Sequence, residues 1–258
     1  MISVSKKELI NILSSMGVVS GRTVFVHSFL GLIFGKQKDV NQLLYDCLRE
    51  LIGSTGTIVV PTFTFKCCHG LTFDPNNTES EVGAFSNWVM KLKDTKRSLH
   101  PIHSVSAIGY KADEITQQVS DSSFGNDSTF SKLIELDALL LMVGVDIDFA
   151  TLIHQVEEDM QVPYRYYKNF QTKISKDNLA YNVSTPYYAK YLDRDTVYRI
   201  DEIKNKLIEC NQYQYTRLGW GKICASDFDG FYQVLKSEVS NNPYYCIEKE
   251  VYLNSILD

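Results

Sequence analysis

His154 is the residue whose surroundings point most directly to chemistry. Glu157 and Glu158 follow it by three and four positions, so on a helix both carboxylates project beside the imidazole. A carboxylate that holds one ring nitrogen fixes the tautomer and raises the basicity of the other nitrogen, which a general base requires. Solvent-exposed His–Glu pairs without any catalytic role have the same spacing. The spacing alone therefore leaves both interpretations open.

A second segment combines basic residues with a turn rich in serine and histidine. Four basic side chains lie between positions 91 and 97, and the turn follows at 98–104. Arginine and lysine bind phosphate well, and serine hydroxyls and backbone N–H groups can complete such a site. A solvated helix end with cations at its negative pole is the alternative interpretation.

Alternating strand and helix patterns must position these segments. Apolar, β-branched runs predict strands at 23–27, 57–62, 104–108 and 138–145, with Pro61 at a strand end or edge. Helical spacing predicts helices from Ser5 to Met16, over 40–52 and 80–92, around His154, and near 199–209 and 226–239. Residues 66–80 are expected to form a long surface loop. The alternation predicts a layered α/β fold in a single domain, 1–258, with a less regular C-terminal third.

Composition excludes several classes of protein. The net charge of -5 argues against a nucleic-acid partner, and no apolar run reaches the roughly 20 residues of a membrane helix. We expect no membrane partner and a cytoplasmic location. His154 has no second histidine four residues on, and Cys67-Cys68-His69 has no distant partner pair, so no metal site is expected.

An ordered series of short segments runs through most of the chain and resembles the aminoglycoside 3-N-acetyltransferase family, also called the antibiotic N-acetyltransferase fold. The segments are 26–30, 56–64, 73–75, 78–84, 97–105, 124–128, 140–144 and 154–157. The resemblance implies an α/β/α fold with a central mixed sheet, and transfer of an acetyl group from acetyl-CoA to an amino group of an amino sugar. It also implies that His154 is the general base and that Glu157 is its partner.

The same resemblance implies a CoA-binding side. The residues that match the family's motifs there are Ser28, Phe29, Leu30, Arg97, Ser98, His103, Ser104 and Ser128. Phe29 stands where the family usually has a second serine, and Gln155 and Val156 replace a frequent tyrosine-alanine pair. These departures suggest a divergent member of the family and leave its acceptor open.

Two acceptors and one non-catalytic role remain as alternatives. Aminoglycosides are polycations, so a resistance enzyme needs carboxylates near the base, and Asp146, Asp148 and Glu158 are the candidates. A nucleotide-linked amino sugar for surface polysaccharide carries phosphates and needs basic and aromatic residues, such as Tyr164 and Arg165 in the stretch 164–168. A non-catalytic CoA- or sugar-nucleotide-binding protein is the third alternative. Whether the chain forms a homodimer stays open.

Overall fold

The computed structural model describes residues 3–117, 120–177 and 179–252, except for the side chains of 250–252. Residues 253–258, at the end of the expected domain, lie outside the described residues. The strands are β1 (Thr23–Ser28), β2 (Thr57–Pro61), β3 (Thr72–Phe73), β4 (Lys96–Arg97), β5 (Val105–Gly109), β6 (Leu139–Val143), β7 (Arg165–Lys176), β8 (Leu179–Lys190), β9 (Arg194–Tyr198), β10 (Gln214–Leu218), β11 (Gly221–Asp227) and β12 (Ile247–Tyr252). The helices are α1 (Lys6–Ser15), α2 (Gly31–Phe34), α3 (Val40–Ile52), α4 (Ala84–Met90), α5 (Ala112–Thr116), α6 (Thr129–Glu135), α7 (Leu152–Asp159), α8 (Ile200–Glu209) and α9 (Phe228–Asn241).

A seven-stranded sheet forms the middle layer, with the strand order β10-β11-β6-β1-β2-β5-β4. Strands β1, β2 and β6 are parallel, whereas β4, β5, β10 and β11 pair antiparallel with their neighbours. The mixed character of the sheet that the resemblance implied is confirmed.

Helices cover both faces of this sheet because the strand residues alternate between two hydrophobic cores. Val24 and Val26 of β1 belong to the core that also contains residues of α1, α3 and α4. Phe25 points to the opposite core, which contains residues of α6, α7, α8 and α9. Successive side chains on a strand point to opposite faces, so a buried strand needs apolar residues at every position. The layered α/β/α fold is confirmed.

Local sequence signals account for several of these elements. The Ser5 hydroxyl accepts a hydrogen bond from Glu8 N–H and caps α1, as the capping pattern predicted. Helix α3 covers the predicted range and ends before Gly53. Helix α4 begins later than predicted because Gly83 has a φ of 73° and the Ser80 backbone hydrogen-bonds to the Asn87 side chain instead.

The expected surface loop at 66–80 is wrong in one respect. A 3-10 helix covers Phe65–His69, and β3 pairs in parallel with β7 through Phe73 and Ile174. Both Phe73 and Cys67 are buried in a small apolar cluster with Ile174. This pairing joins segments about a hundred positions apart, which turn-forming residues along the chain do not reveal.

The C-terminal third is more regular than expected. Strands β7 and β8 form a hairpin of two 12-residue strands, and β9 pairs antiparallel with β12. No helix among the described residues has the length and apolar character needed to cross a membrane.

One edge of the central sheet collects the segments that the sequence singled out. The carboxyl ends of the parallel strands β1, β2 and β6 lead to Ser28, Thr62 and Gly144, and β5 begins at the same edge after Ser104. Ligand sites in open α/β sheets gather at the carboxyl ends of the strands.

Gly144 at this edge provides a test of the packing. Its φ is 79°, and a Cβ there lies 2.3 Å from the Phe29 carbonyl oxygen, so Gly144→Ala adds a clash to backbone strain. We expect a loss of about 1 kcal/mol of unfolding free energy from the left-handed backbone and roughly 1–3 kcal/mol more from the clash. Urea unfolding measures the sum of these two losses.

Gly70→Ala is the matched control. Gly70 has a φ of 96° but nothing within 4 Å of the added Cβ, so only the backbone cost remains. Equal losses in the two variants contradict the close approach of Phe29 to Gly144.

Candidate active site

Helix α7 positions His154 and Glu157 one turn apart at the border of the core. Leu152, Ile153 and Val156 of this helix are buried and fix its apolar face. The His154 side chain keeps 29% of its surface exposed, whereas Glu157 is completely buried. The helix therefore presents an imidazole to solvent and a carboxylate to the interior.

Three side chains from three elements surround the Glu157 carboxylate. His154 Nδ1 lies 2.7 Å from Oε2, Arg165 Nε of β7 lies 2.8 Å from the same oxygen, and Tyr198 of β9 donates a 2.6 Å hydrogen bond to Oε1. Burial by itself raises the pKa of a carboxyl group, but the Arg165 charge, together with His154 and Tyr198, lowers the pKa of Glu157 to about 2. Glu157 is thus a buried carboxylate that stays ionised at neutral pH.

The Arg165 guanidinium makes its contacts within this cluster and with the adjacent strand. Its Nη2 donates to the Tyr198 hydroxyl at 2.6 Å, and its Nη1 donates to the Tyr188 carbonyl oxygen at 2.8 Å. Burial alone lowers the pKa of a guanidinium, but the adjacent Glu157 raises the pKa of Arg165 overall. The Arg165 charge is therefore paired with that of Glu157.

Glu157 also orients the His154 ring. Arg165 Nη2 lies 3.0 Å from Nδ1, but the Glu157 oxygen is closer and negatively charged, so the Nδ1 proton points to Glu157. Nε2 makes no hydrogen bond to any residue that the structure describes. Burial and the Arg165 charge lower the pKa of His154 below 6.5, and Glu157 opposes them in part. At neutral pH the ring is neutral, with its Nε2 lone pair free to accept a proton.

A cavity of about 290 Å³ adjoins the exposed side of His154. The start of β7 and the end of β8, which pair at the open end of the hairpin, form most of its wall. Its lining residues are His154, Arg165, Tyr166, Lys168, Phe170, Tyr187, Ala189, Lys190 and Leu192.

A larger cavity of about 640 Å³ lies near the first. Arg97, Ser98, His103 and Ser128 contribute to its lining. His103 contacts Tyr187 of the smaller cavity, with their ring centroids 5.2 Å apart, and Phe124 lies 4.9 Å from His103 and 5.7 Å from His154. The linings of the two cavities are therefore in contact through aromatic rings.

The expected CoA-side residues divide into surface and interior groups. Phe29 is 59% exposed just past the end of β1, Ser28 is half-buried and Leu30 is buried. His103 is buried as well, with its Nδ1 2.8 Å from the Ser123 hydroxyl oxygen. Phe29, Ser28 and Arg97 keep part of their surface exposed, and the other residues of this group are buried.

Arg97, which was expected on the CoA side, makes several contacts within the protein. Its guanidinium donates to the Thr78 and Thr62 carbonyl oxygens and to the Ser104 hydroxyl, and it stacks over the Phe73 ring at 4.8 Å. Burial lowers the pKa of Arg97 to about 10. The basic segment holds the sheet edge together at this position.

Three of the four expected serines also have internal partners. The Ser98 hydroxyl accepts from Val105 N–H, the Ser104 hydroxyl donates to the Thr62 carbonyl oxygen, and the Ser128 hydroxyl caps α6 by accepting from Ser131 N–H. All three side chains are buried. Their first role is to satisfy backbone groups, because a buried N–H or C=O without a partner is costly.

The expected acceptor residues do not converge on one site. Asp146 pairs with Lys204 and Lys222 and accepts from Tyr213, Asp148 is exposed, and Glu158 accepts from Ser122 and Tyr167. Tyr164 is completely buried in the core, so its expected contact with a ligand is wrong. Nearness along the chain predicted these residues, but the side-chain directions separate them.

Three residues of the site were missed. Tyr198 binds Glu157, and Tyr187 and Lys190 line the smaller cavity. They come from β8 and β9, more than thirty positions after His154. The abundance of tyrosine after Tyr164 was the only signal, and it does not reveal the strand register. Among the described residues, no group of three or more His, Cys, Asp or Glu side chains is arranged to hold a metal ion.

The sequence and the fold of this chain are both similar to those of known proteins. Residues 25–238 match the model of the family described as "Aminoglycoside 3-N-acetyltransferase". Aminoglycoside N(3)-acetyltransferase IV from Salmonella sp is 32% identical over 168 residues, which cover 62% of this chain and 60% of the Salmonella protein. The matched segment thus spans less than two thirds of that relative.

Two solved structures share the fold. AAC-IIIb in its binary complex with CoASH superposes with a TM-score of 0.79 at 19% identity, covering 92% of this chain and 96% of that one. A histidine-to-alanine mutant of AAC(3)-IVa in complex with apramycin superposes with a TM-score of 0.79 at 23% identity, covering 95% and 96%. At these identities the likeness establishes the fold alone.

Tyr198→Phe tests the contribution of the buried carboxylate cluster. The variant leaves Glu157 Oε1 without its hydroxyl donor, so we expect a loss of about 1–3 kcal/mol of unfolding free energy at pH 7. The matched control is Tyr188→Phe, whose hydroxyl donates 2.7 Å to the neutral Val162 carbonyl oxygen, with an expected loss of about 0.5–1.5 kcal/mol. Urea unfolding distinguishes them, and a smaller loss for Tyr198→Phe contradicts the cluster.

The same cluster predicts how stability depends on pH. The pKa of Glu157 is lowered to about 2 in the folded protein, so its contribution is complete above its ordinary value of 4.5. That contribution is lost as the pH falls from 4.5 through about 2. In Tyr198→Phe the pKa of Glu157 rises toward 4.5, so the loss from this group is smaller and is complete at a higher pH. An unchanged acid limb in the unfolding free energy contradicts this assignment.

Proposed function

Because this chain belongs to the aminoglycoside 3-N-acetyltransferase family, we propose that it transfers an acetyl group from acetyl-CoA to an amino group of an amino sugar, with His154 as general base. One observation carries the proposal. A neutral imidazole opens onto a cavity with a free Nε2, while its Nδ1 is held by an ionised, buried carboxylate.

The reaction needs a proton acceptor close to the attacking amine. An aliphatic amine attacks a thioester only as the free base, and most of it is protonated at neutral pH. Nε2 of His154 accepts the proton as the nitrogen attacks the acetyl carbonyl carbon, and the resulting imidazolium is stabilised by Glu157. When the tetrahedral intermediate collapses, the carbon–sulfur bond breaks, and the leaving thiolate takes the proton from the His154 imidazolium, which returns to its neutral form.

Arg165 and Tyr198 act as positioning residues in this proposal. They hold Glu157 ionised and in place, and Glu157 in turn keeps the Nδ1 proton of His154 directed away from the cavity. The lowered pKa of His154 supports the role of base, because the ring does not need to lose a proton before it acts.

Acetyl-CoA supplies the activated acetyl group, and the larger cavity fits it better than the smaller one. Its volume of about 640 Å³ lies within the usual range for ligand sites, and its lining includes Lys176, several serine hydroxyls, and Lys96, which is paired with Asp113. Such donors suit phosphate groups. The CoASH complex of AAC-IIIb, a relative of the same fold, supports CoA as the cosubstrate.

The names of the relatives point to aminoglycosides as acceptors, and an amino sugar is the class that we propose. A non-catalytic binding protein has no need of an oriented base with an ionised partner. The intact His154–Glu157 pair therefore favours an enzyme over that alternative.

His154→Ala tests the base. We expect turnover to fall at least about 100-fold while CoA binding is retained, because proton transfer contributes roughly 10²–10⁴-fold. Release of CoA thiol measures turnover, and calorimetry with CoA measures binding. His69→Ala, an exposed histidine outside the site, is the control and should behave like the unaltered protein. Turnover within about threefold of that control in His154→Ala rejects the assignment.

Titration of the His154 ring tests its charge state. We expect an NMR pKa below 6.5, because burial and the Arg165 charge disfavour the imidazolium. Glu157→Gln should lower the pKa further, since the carboxylate is the group that raises it. The signal is assigned by its absence in His154→Ala. A pKa above 6.5, or an increase in Glu157→Gln, contradicts the proposed electrostatics.

A further inference from the structure

The β7–β8 hairpin presents alternate residues to the cavity beside His154. Tyr166, Lys168 and Phe170 are spaced by two positions on β7 and therefore share one face. Their cross-strand neighbours are in register, with Tyr166 opposite Ala189 and Lys168 opposite Tyr187. Lys190 lies opposite Arg165 at the start of the hairpin. Lys190 and Arg165 belong to the other set of alternating positions, but both also line the cavity, so the end of the hairpin brings two lysines and three aromatic rings beside His154.

The two lysines carry the charge of this cavity. Arg165 is paired with Glu157, but among the described residues no carboxylate oxygen lies within 4.0 Å of Lys168 or Lys190 Nζ. Their ammonium groups lie over aromatic rings instead, Lys168 at 4.9 Å from Phe170 and Lys190 at 4.6 Å from Tyr198. Asp195 and Glu157 act on Lys190 only at longer range, and burial and Arg165 lower its pKa. The cavity is positively charged in a chain whose net charge is -5.

Carboxylates that suit a polycation lie elsewhere. No Asp or Glu lines the cavity beside His154. Glu158 and Asp159 line a separate cavity of about 350 Å³, and Asp146 is already paired with two lysines. A polycationic acceptor at His154 would thus face two ammonium groups without a compensating carboxylate, whereas a phosphate would neutralise them.

We propose that the amino sugar acetylated at His154 carries a phosphate group, which Lys168 and Lys190 bind while Tyr166 and Tyr187 pack against the sugar or an attached base. The inference rests on the proposed function and names the acceptor class for that site. A sugar phosphate and a nucleotide-linked sugar share this chemistry. Aromatic faces beside the lysines favour the nucleotide-linked form, because a base adds a ring to stack.

The experiment compares matched acceptors in the thiol-release assay with acetyl-CoA. The acceptors are glucosamine, glucosamine 1-phosphate, UDP-glucosamine, a UDP-linked 4-amino sugar and kanamycin. We expect kcat/KM for at least one phosphate-bearing sugar to exceed that for glucosamine and kanamycin by roughly tenfold or more, because charge-assisted hydrogen bonds contribute on that scale. The two kinds of phosphate-bearing acceptor distinguish a sugar phosphate from a nucleotide-linked sugar.

Lys168→Gln and Lys190→Gln, singly and together, locate the effect. Each change removes a charge but keeps most of the side-chain length, so we expect KM for the phosphate-bearing acceptor to rise roughly tenfold in each single variant. The rise in KM for the phosphate-bearing acceptor should exceed any change in KM for glucosamine, which has no phosphate for the lysines to bind. Lys93→Gln, at an exposed position away from both cavities, is the control.

Binding provides a readout that does not require turnover. Calorimetry with UDP-glucosamine, with CoA saturating to occupy its own site, should show affinity that falls with added salt and weakens at least roughly tenfold in the double variant. Unchanged binding in the double variant overturns the inference, as does a higher kcat/KM for kanamycin than for every phosphate-bearing sugar.

The two proposals fail in different ways. If no acceptor releases thiol faster than in His154→Ala, but UDP-glucosamine binds and requires the lysines, the proposed transfer is wrong and the phosphate site remains. If kanamycin or glucosamine is acetylated and the lysine variants behave like the unaltered protein, the transfer stands and the phosphate site is wrong.

Discussion

A negative charge at Glu157, completely removed from solvent, is the constraint on which the site depends. An isolated carboxylate in a protein interior costs several kcal/mol, so it persists only where charged or polar donors replace water. Those donors are His154 on α7, Arg165 on β7 and Tyr198 on β9. Because they belong to three separate elements, satisfying one carboxylate fixes the helix against the hairpin and the following strand. The orientation of the His154 ring is a consequence of this arrangement.

The buried charge of Glu157 also determines which cationic side chains are available to a ligand. Arg165 reaches the cavity but is already paired with Glu157, so it adds little net charge there. Lys168 and Lys190 have aromatic rings beside their ammonium groups instead of carboxylates. The scaffold thus keeps the His154–Glu157 pair, while the hairpin sets the charge of the cavity beside it. Such a division between a constant residue pair and variable surrounding side chains is expected where one fold serves several substrates. Specificity then comes from the side chains placed around a common framework.

Much of the fold followed from short-range signals. The cap at Ser5, the helical spacing of 40–52 and the apolar runs of β1 and β6 each concern residues within a few positions of one another. The errors involve contacts between distant segments. Phe73 is buried because β3 pairs with β7, and Arg97 is occupied because its guanidinium reaches Thr62 and Thr78. No local pattern reports such pairings.

The candidate site also combines features that follow from short-range sequence signals with features that depend on contacts between distant segments. The sequence by itself determined that His154 and Glu157 meet, because the helical repeat places residues three positions apart on one face. Its ordered motifs also identified the family. Only the tertiary structure decided that Arg165 and Tyr198 complete the carboxylate cluster, that Tyr164 is buried, and that Lys190 joins Lys168 beside His154. The reason is that strand register and side-chain direction arise from long-range pairing, which spacing along the chain does not specify.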